Sequence, residues 1–167
     1  MKKVALIIAI LVSFSVASCG IYSFTGANTE GLNTFQVNYF PNNADLIEPG
    51  IERQFRLDLQ DLIQNQTNLT LTDNNADLIF EGEITDFYFA PMTATSNNTA
   101  AQTRLTITVQ VQFYNTKEPE KNFDRRFSFY YDYGALEQLT GSDLDAAVAE
   151  IYERITQDIF NASLNDW

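Results

Sequence analysis

Two glutamates are the first candidates for chemistry in this sequence. Glu81 and Glu83 lie two positions apart. On a β-strand this spacing places both carboxylates on one face, roughly 6.5 to 7 Å apart, a separation at which a carboxylate pair can carry out acid–base hydrolysis. Nothing nearby in the sequence indicates a sugar-binding cleft. A strand face that meets solvent or a partner protein is therefore the favoured interpretation.

A second group of polar residues matches a calcium-binding loop only in part. Asp73, Asn75 and Asp77 correspond to the first three ligand positions of such a loop. Leu78, however, occupies the position of the turn glycine, and Ile84 that of the bidentate glutamate. We therefore predict no metal site and interpret these residues as a turn before a strand.

The residue types that many enzymes use are scarce. The sequence contains no histidine and one cysteine, Cys19, so it lacks the usual imidazole base and most ligands of transition metals. We predict a protein that is not an enzyme and has no cofactor. A surface hydrolase that depends on Glu81 is kept as an alternative.

The N-terminal residues predict export and lipid attachment. A basic start is followed by an apolar run from Val4 to Val12, which is typical of a signal peptide and too short to span a membrane. Small residues then lead to Cys19, and this arrangement resembles a bacterial lipobox. We predict that Cys19 carries the lipid anchor. Gly20 follows where aspartate would favour the inner membrane, so we expect the outer membrane.

Charge and length limit the domain organisation and the partners. Removal of residues 1–18 as a signal peptide leaves 149 residues with eight basic and 22 acidic side chains, a net charge of −14. We predict a lipidated tether over residues 19–33 and a single domain over residues 34–167. The acidic balance argues against nucleic acid as a partner. It also argues against a basic patch that binds an anionic membrane surface, so we expect membrane contact through the lipid or through apolar groups.

Alternating apolar and polar residues predict four strands, over residues 34–40, 78–89, 105–113 and 127–133. The apolar phase changes within the second strand, which predicts a β-bulge near Gly82 or Asp86. Residues 90–102 are expected to form a loop, and residues 115–122 a turn.

Two amphipathic helices complete the predicted fold. The first follows Pro49, with apolar residues at helical spacing from Ile51 to Ile63, and the second runs from Ser142 as N-cap to about Asn161. Both apolar stripes are buried most simply if the helices pack on one face of a four-stranded, mostly antiparallel but mixed sheet. The predicted class is α+β, in the order β-α-β-β-β-α.

With this order of elements, the sequence resembles the LptE family, in the form found in Bacteroidetes-type bacteria. The resemblance rests on residues 19–26, residues 76–87, and residues 105–113 leading to 127–130. It implies an outer-membrane lipoprotein without catalytic residues that sits inside the LptD β-barrel, assists assembly of that barrel and helps deliver lipopolysaccharide to the outer leaflet. The alternative is an accessory docking lipoprotein of another envelope transport or secretion complex.

The resemblance also implies contact between basic residues and lipopolysaccharide, at the sheet end near the second and third strands. Here the loop over residues 90–102 carries no charge, and only Arg104 follows it. The other candidates, Lys117, Lys121, Arg125 and Arg126, surround the predicted hairpin turn, where they could meet lipid phosphates or acidic barrel residues, or only keep the turn soluble. We expect the plug and assembly role to be better preserved than direct lipid binding.

Aromatic residues are the other candidate contacts. Phe87, Tyr88 and Phe89 are consecutive, as are Phe129, Tyr130 and Tyr131, so rings fall on both faces of the sheet, and one core cannot bury them all. Either a partner covers the second face or these rings lie at the ends of elements. We predict that Phe87, Tyr88, Phe89 and Tyr130 face a partner.

Overall fold

The computed structural model describes residues 27–92 and 101–165, and in these ranges the chain forms an α+β fold. The elements in chain order are β1 (Thr34–Val37), α1 (Ile51–Gln66), β2 (Thr70–Leu71), β3 (Leu78–Met92), β4 (Gln102–Asn115), a 3₁₀ turn (Pro119–Lys121), β5 (Phe123–Gly134) and α2 (Ser142–Leu164). Both predicted helices and all four predicted strands are present. The predicted number of strands was wrong, because β2 is a fifth.

The sheet is mixed, with the strand order β2-β1-β3-β4-β5. β1 is parallel to β2 and β3, whereas β3, β4 and β5 are antiparallel neighbours. The short strand β2 is held by the amides of Thr70 and Thr72, which donate over 2.9 Å to the carbonyls of Asn33 and Phe35. Two residues are too few to show an alternating pattern, so the sequence did not reveal this strand.

A β-bulge in β3 accounts for its change of phase. The register with β4 shifts between Ile84 and Asp86, so Thr85 is the extra residue. As a result Ile84 and Phe87 are both buried on the same face, although they are three positions apart. The predicted bulge near Asp86 is confirmed.

The core lies between the sheet and the two helices. Ring contacts connect the layers: the centroids of Phe55 and Tyr152 are 5.2 Å apart, and those of Phe55 and Phe40 are 5.0 Å apart. α2 packs on β5 and β4, and α1 lies beside it over β1 and β2. The predicted arrangement, with both helices on one face of the sheet, is confirmed.

The start of α2 corrects one detail of the prediction. Gly141, with a φ of 58°, is the N-cap residue, and no side chain caps the helix. Ser142 was predicted as the N-cap, but it is already the first helical residue. The helix continues to Leu164, whose carbonyl accepts a hydrogen bond of 2.7 Å from the amide of Asn28. The N-terminal end of the described chain therefore lies against the C-terminal end of α2.

Candidate functional site

The face of the sheet opposite the helices is the candidate functional site. Strand geometry points every second side chain of β3, β4 and β5 away from the core, and no described helix covers this surface. We call it the open face. Its side chains come from Glu81, Glu83, Asp86, Tyr88, Arg104, Thr106, Thr108, Gln110, Gln112, Asp124, Arg126, Ser128, Tyr130 and Asp132.

Two tyrosines stand in one row across the open face. Tyr88 pairs with Thr106, and Thr106 pairs with Tyr130 on the next strand. The two rings are therefore two strand spacings apart, about 10 Å, with a small hydroxyl side chain between them. Tyr88 is 48% exposed and Tyr130 is 44% exposed. The row offers two apolar surfaces with phenol groups to an incoming partner.

Arg104 is held beside this row by an ion pair and a ring. Its Nε and one terminal nitrogen donate to the two carboxylate oxygens of Asp132, each over 2.7 Å. The centre of the guanidinium lies 3.5 Å from the centroid of the Tyr130 ring. These hydrogen bonds raise the pKa of Arg104 and lower the pKa of Asp132. The charge of Arg104 is thus balanced by a neighbouring carboxylate.

The other predicted basic residues lie far from Arg104. Arg125 pairs with Val111, seven residues along β4 from Arg104, which is roughly 23 Å at strand spacing. Lys117 forms an ion pair with Asp77 over 3.2 Å, and Lys121 with Glu118 over 2.7 Å. The Nε of Arg126 donates to Gln110 over 3.3 Å. The structure does not bring the five basic residues together into one cationic patch.

Glu81 and Glu83 accept hydrogen bonds from the segment that follows β1 and so hold this segment against β3. Asn38 donates to a carboxylate oxygen of Glu81 over 3.0 Å, and Asn43 donates to Glu83. Both asparagines belong to the segment that continues from β1 along β3. The two carboxylates therefore join this segment to the strand, which accounts for their spacing without a catalytic role.

Asp77 has a similar structural function. Its carboxylate accepts hydrogen bonds from the amides of Asn33, over 2.8 Å, and Thr34, over 3.2 Å, and pairs with Lys117. The hydrogen bond from Asn33 is the main cause of the lowered pKa of Asp77. Asp77 thus connects the turn before β3 to the start of β1. Among residues 27–92 and 101–165, no group of three or more acidic or cysteine side chains is placed to hold a metal ion.

Only part of the predicted aromatic contact set reaches the open face. Tyr88 and Tyr130 do so. Phe89 is 37% exposed, but it projects on the helix side, where its ring contacts Phe87 and Tyr133 at centroid distances of 5.8 and 6.4 Å. Phe87 is 1% exposed and belongs to the core. The bulge at Thr85 turns it inward, so we exclude it as a partner-facing residue.

Sequence reasoning missed the partner of Arg104. Asp132 was not singled out, because this pairing depends on a strand register that the predicted turn does not give. A turn centred on residues 115–122 would pair Tyr114 with Phe123 and Arg104 with Tyr133, whereas the observed register pairs Phe113 with Phe123 and Arg104 with Asp132. A shift of one residue therefore decides which side chain lies opposite Arg104.

Cys19, the predicted site of lipid attachment, lies outside the described residues, and so does most of the loop predicted over residues 90–102. Within the described ranges, no helix combines the length and apolar character needed to cross a membrane.

Comparisons with known proteins identify the family. The profile of the LptE family, described as lipopolysaccharide-assembly, matches residues 32–163. Among solved structures, a hypothetical protein from Chlamydia trachomatis aligns with a TM-score of 0.51 and 8% identity, covering 79% of this chain and 98% of that chain. Rare lipoprotein B from Shewanella oneidensis aligns with a TM-score of 0.42 and 11% identity, covering 76% and 89%. A comparison with curated proteins gave no significant match.

The fold and the open face define a small α+β domain with a candidate interaction surface on its sheet. Because the family profile spans most of the chain, this protein belongs to the LptE family of lipopolysaccharide-assembly proteins. The Chlamydia structure, at 8% identity, shows a shared fold and nothing further.

Proposed function

We propose that this protein is a non-enzymatic outer-membrane lipoprotein that plugs an LptD-type β-barrel and assists its assembly for lipopolysaccharide transport. Family membership supports the pathway. The open face supports the mode of action, because polar and aromatic side chains on one uncovered sheet suit a barrel lumen lined by polar groups. The lipid on Cys19 would bring the domain to the membrane in which the barrel sits.

The single observation that carries the proposal is the row formed by Tyr88, Thr106 and Tyr130, with Arg104 fixed at its end. Aromatic and arginine side chains are enriched where protein partners bind most strongly. The row is uncovered in the described part of the chain, although both rings are large enough to be buried in a core. A partner surface would bury them.

Assembly is better supported than direct capture of lipopolysaccharide. The open face carries the carboxylates of Glu81, Glu83, Asp86 and Asp124, and its two arginines are already bonded, Arg104 to Asp132 and Arg126 to Gln110. An anionic lipid phosphate would meet more negative than positive charge there. A protein wall with amide, hydroxyl or basic groups fits this surface better.

Affinity purification of the full-length lipidated protein from mild-detergent extracts tests the proposal. We expect a large β-barrel protein in the eluate, and we expect the double variant Tyr88→Ala, Tyr130→Ala to recover about tenfold less of it. Leu57→Ala is the matched control, since Leu57 is 42% exposed on α1, on the other side of the domain.

Two results would count against this function. Recovery of the protein with a different envelope complex and no barrel would favour an accessory docking lipoprotein. Normal lipopolysaccharide at the cell surface after depletion of the protein would remove the transport role altogether.

A further inference from the structure

β5 forms an edge of the sheet, and no other strand in the described part of the chain pairs with its outer side. It pairs with β4 along its whole length, from Phe123 to Gly134, without a register shift. The opposite edge, β2, has only two residues. Proteins usually shorten, bulge or cover long regular edges, because free N–H and C=O groups there pair with other strands. β5 is neither short nor bulged, and it contains no proline.

One hydrogen bond beyond the strand ends shows which backbone groups face outward. The amide of Ala135 donates over 3.0 Å to the carbonyl of Ala101, in the register that continues β4 and β5. In an antiparallel ladder, hydrogen-bonded pairs alternate with non-bonded pairs. Odd-numbered residues of β5 therefore bond to β4, and even-numbered residues point their N–H and C=O groups outward. These are Asp124, Arg126, Ser128, Tyr130, Asp132 and Gly134. The carbonyl of Gly134 already accepts a hydrogen bond of 2.9 Å from the amide of Glu137, so the edge that another strand can use ends at Asp132.

The side chains along this edge determine which residue types a complementary strand needs. On the open face, Asp124 and Arg126 are bonded to glutamine amides, and neither belongs to an ion pair among the described residues. On the helix side, Phe127, Phe129 and Tyr131 are only half-buried. A complementary strand is polar on one face and apolar on the other. It has an acidic residue opposite Arg126 and a basic residue opposite Asp124.

We propose that the outer edge of β5 is a strand-addition site that binds an extended polypeptide segment with alternating polar and apolar residues. Transmembrane β-strands have this alternation. The occupant is an unpaired strand of the partner barrel during its assembly. That identity rests on the proposed function, whereas the pairing capacity of the edge does not.

Peptide binding to the full-length, detergent-solubilised protein tests the site. The probe is the synthetic peptide Thr-Val-Thr-Val-Glu-Val-Lys, which in antiparallel register places Lys opposite Asp124 and Glu opposite Arg126. Ser128→Pro removes an outward N–H without breaking a bond to β4. Ser128→Ala is its matched control, since both variants lose the hydroxyl contact with Thr108. We expect Ser128→Pro to weaken peptide binding by about tenfold or more and Ser128→Ala to leave it nearly unchanged.

A charge exchange keeps the test decisive if Ser128→Pro does not fold. The double variant Asp124→Lys, Arg126→Glu should prefer a peptide with Glu and Lys exchanged, and the wild type should prefer the original. The site is refuted if the wild type does not bind the peptide, if neither protein distinguishes the two peptides, or if a folded Ser128→Pro binds as well as Ser128→Ala. If the peptide binds but no barrel copurifies, the site stands and only the barrel as occupant is lost.

Discussion

Arg104 on β4 and Asp132 on β5 form a bidentate ion pair, in which both hydrogen bonds are 2.7 Å long. The same guanidinium lies 3.5 Å from the centroid of the Tyr130 ring. A planar guanidinium can bond both carboxylate oxygens and stack on a ring at once, whereas a lysine ammonium cannot. The pair therefore orients Tyr130 on the open face as well as balancing charge.

Arg104→Lys should thus impair partner binding while it changes stability little. The charge remains, but the bidentate hydrogen bonding to Asp132 and the stacking on Tyr130 are lost. We therefore expect copurification of the proposed barrel partner to fall severalfold. An ion pair this accessible to water contributes little to stability, so the unfolding midpoint should hardly move. Arg53→Lys, at an exposed position on α1 and away from the open face, is the control. Equal barrel recovery with Arg104→Lys and with the wild type would contradict the orienting role.

Gly82→Ala should be strongly destabilising. Gly82 has a φ of 155°, and a Cβ there would lie 1.9 Å from the carbonyl oxygen of Gln110 and 3.0 Å from the Phe40 ring. Backbone on one side and a buried ring on the other leave no room to relax, so we expect a loss of about 3 kcal/mol or more, or no folding. Urea unfolding measures the change.

Gly31→Ala separates the steric clash from the loss of backbone freedom. Gly31 also has a positive φ, 75°, but nothing lies within 4 Å of its would-be Cβ. We expect a cost of about 1 kcal/mol there. If Gly82→Ala and Gly31→Ala lowered the free energy of unfolding by similar amounts, the contact with Gln110 would be unimportant.

The sequence predicted the elements because their apolar periodicity reports burial directly. The strand from Leu105 to Phe113 has every second residue buried, and the two helices bury the predicted stripes. β2 could not be predicted, since Thr70 and Leu71 join the sheet through backbone hydrogen bonds to the segment at β1 and not through a side-chain pattern. Tertiary position, which the local sequence does not encode, decides such short pairings.

The candidate site was predicted less completely than the fold. Tyr88 and Tyr130 were named from composition, but their alignment through Thr106 depends on the register of three strands. Phe87 was assigned to a partner because the exact place of the bulge was unknown, and a shift of one residue exchanges the two faces. Its burial follows from the bulge at Thr85.

Tyr152→Phe should leave stability unchanged or raise it. The Tyr152 side chain is fully buried against Phe55, and its hydroxyl has no hydrogen-bond partner among the described residues. Burial, with the carboxylates of Asp58 and Glu52 nearby, raises the pKa of this phenol. The phenylalanine variant has no buried hydroxyl without a hydrogen bond, so it does not have the desolvation cost of that group. We expect the free energy of unfolding to rise by up to about 1 kcal/mol, measured by thermal unfolding.

Tyr152→Ala checks that the ring itself is needed. Loss of the ring from the seam between α1 and α2 should cost about 3 to 5 kcal/mol. A Tyr152→Phe variant that is as unstable as Tyr152→Ala would show that the hydroxyl makes an essential bond.

Asp58→Asn should stabilise the protein at neutral pH and have little effect in acid. Burial raises the pKa of Asp58 to about 6 from an ordinary value of 3.8, although Gln54 donates a hydrogen bond of 2.6 Å that opposes the rise. The folded state therefore holds this proton more tightly than the unfolded state does, and the carboxylate lowers stability progressively as the pH rises from about 4 to about 6. Above about 6 the full penalty is present. Because the side chain is only half-buried, we expect a gain of about 1 kcal/mol for asparagine.

Urea midpoints of Asp58→Asn and the wild type, measured from pH 4 to pH 8, test this dependence. The difference between the two proteins should be small at pH 4, grow up to about pH 6 and then stay constant, because asparagine does not titrate. If the difference in urea midpoint between Asp58→Asn and the wild type did not depend on pH, the substitution would act through packing and not through the charge of this carboxylate.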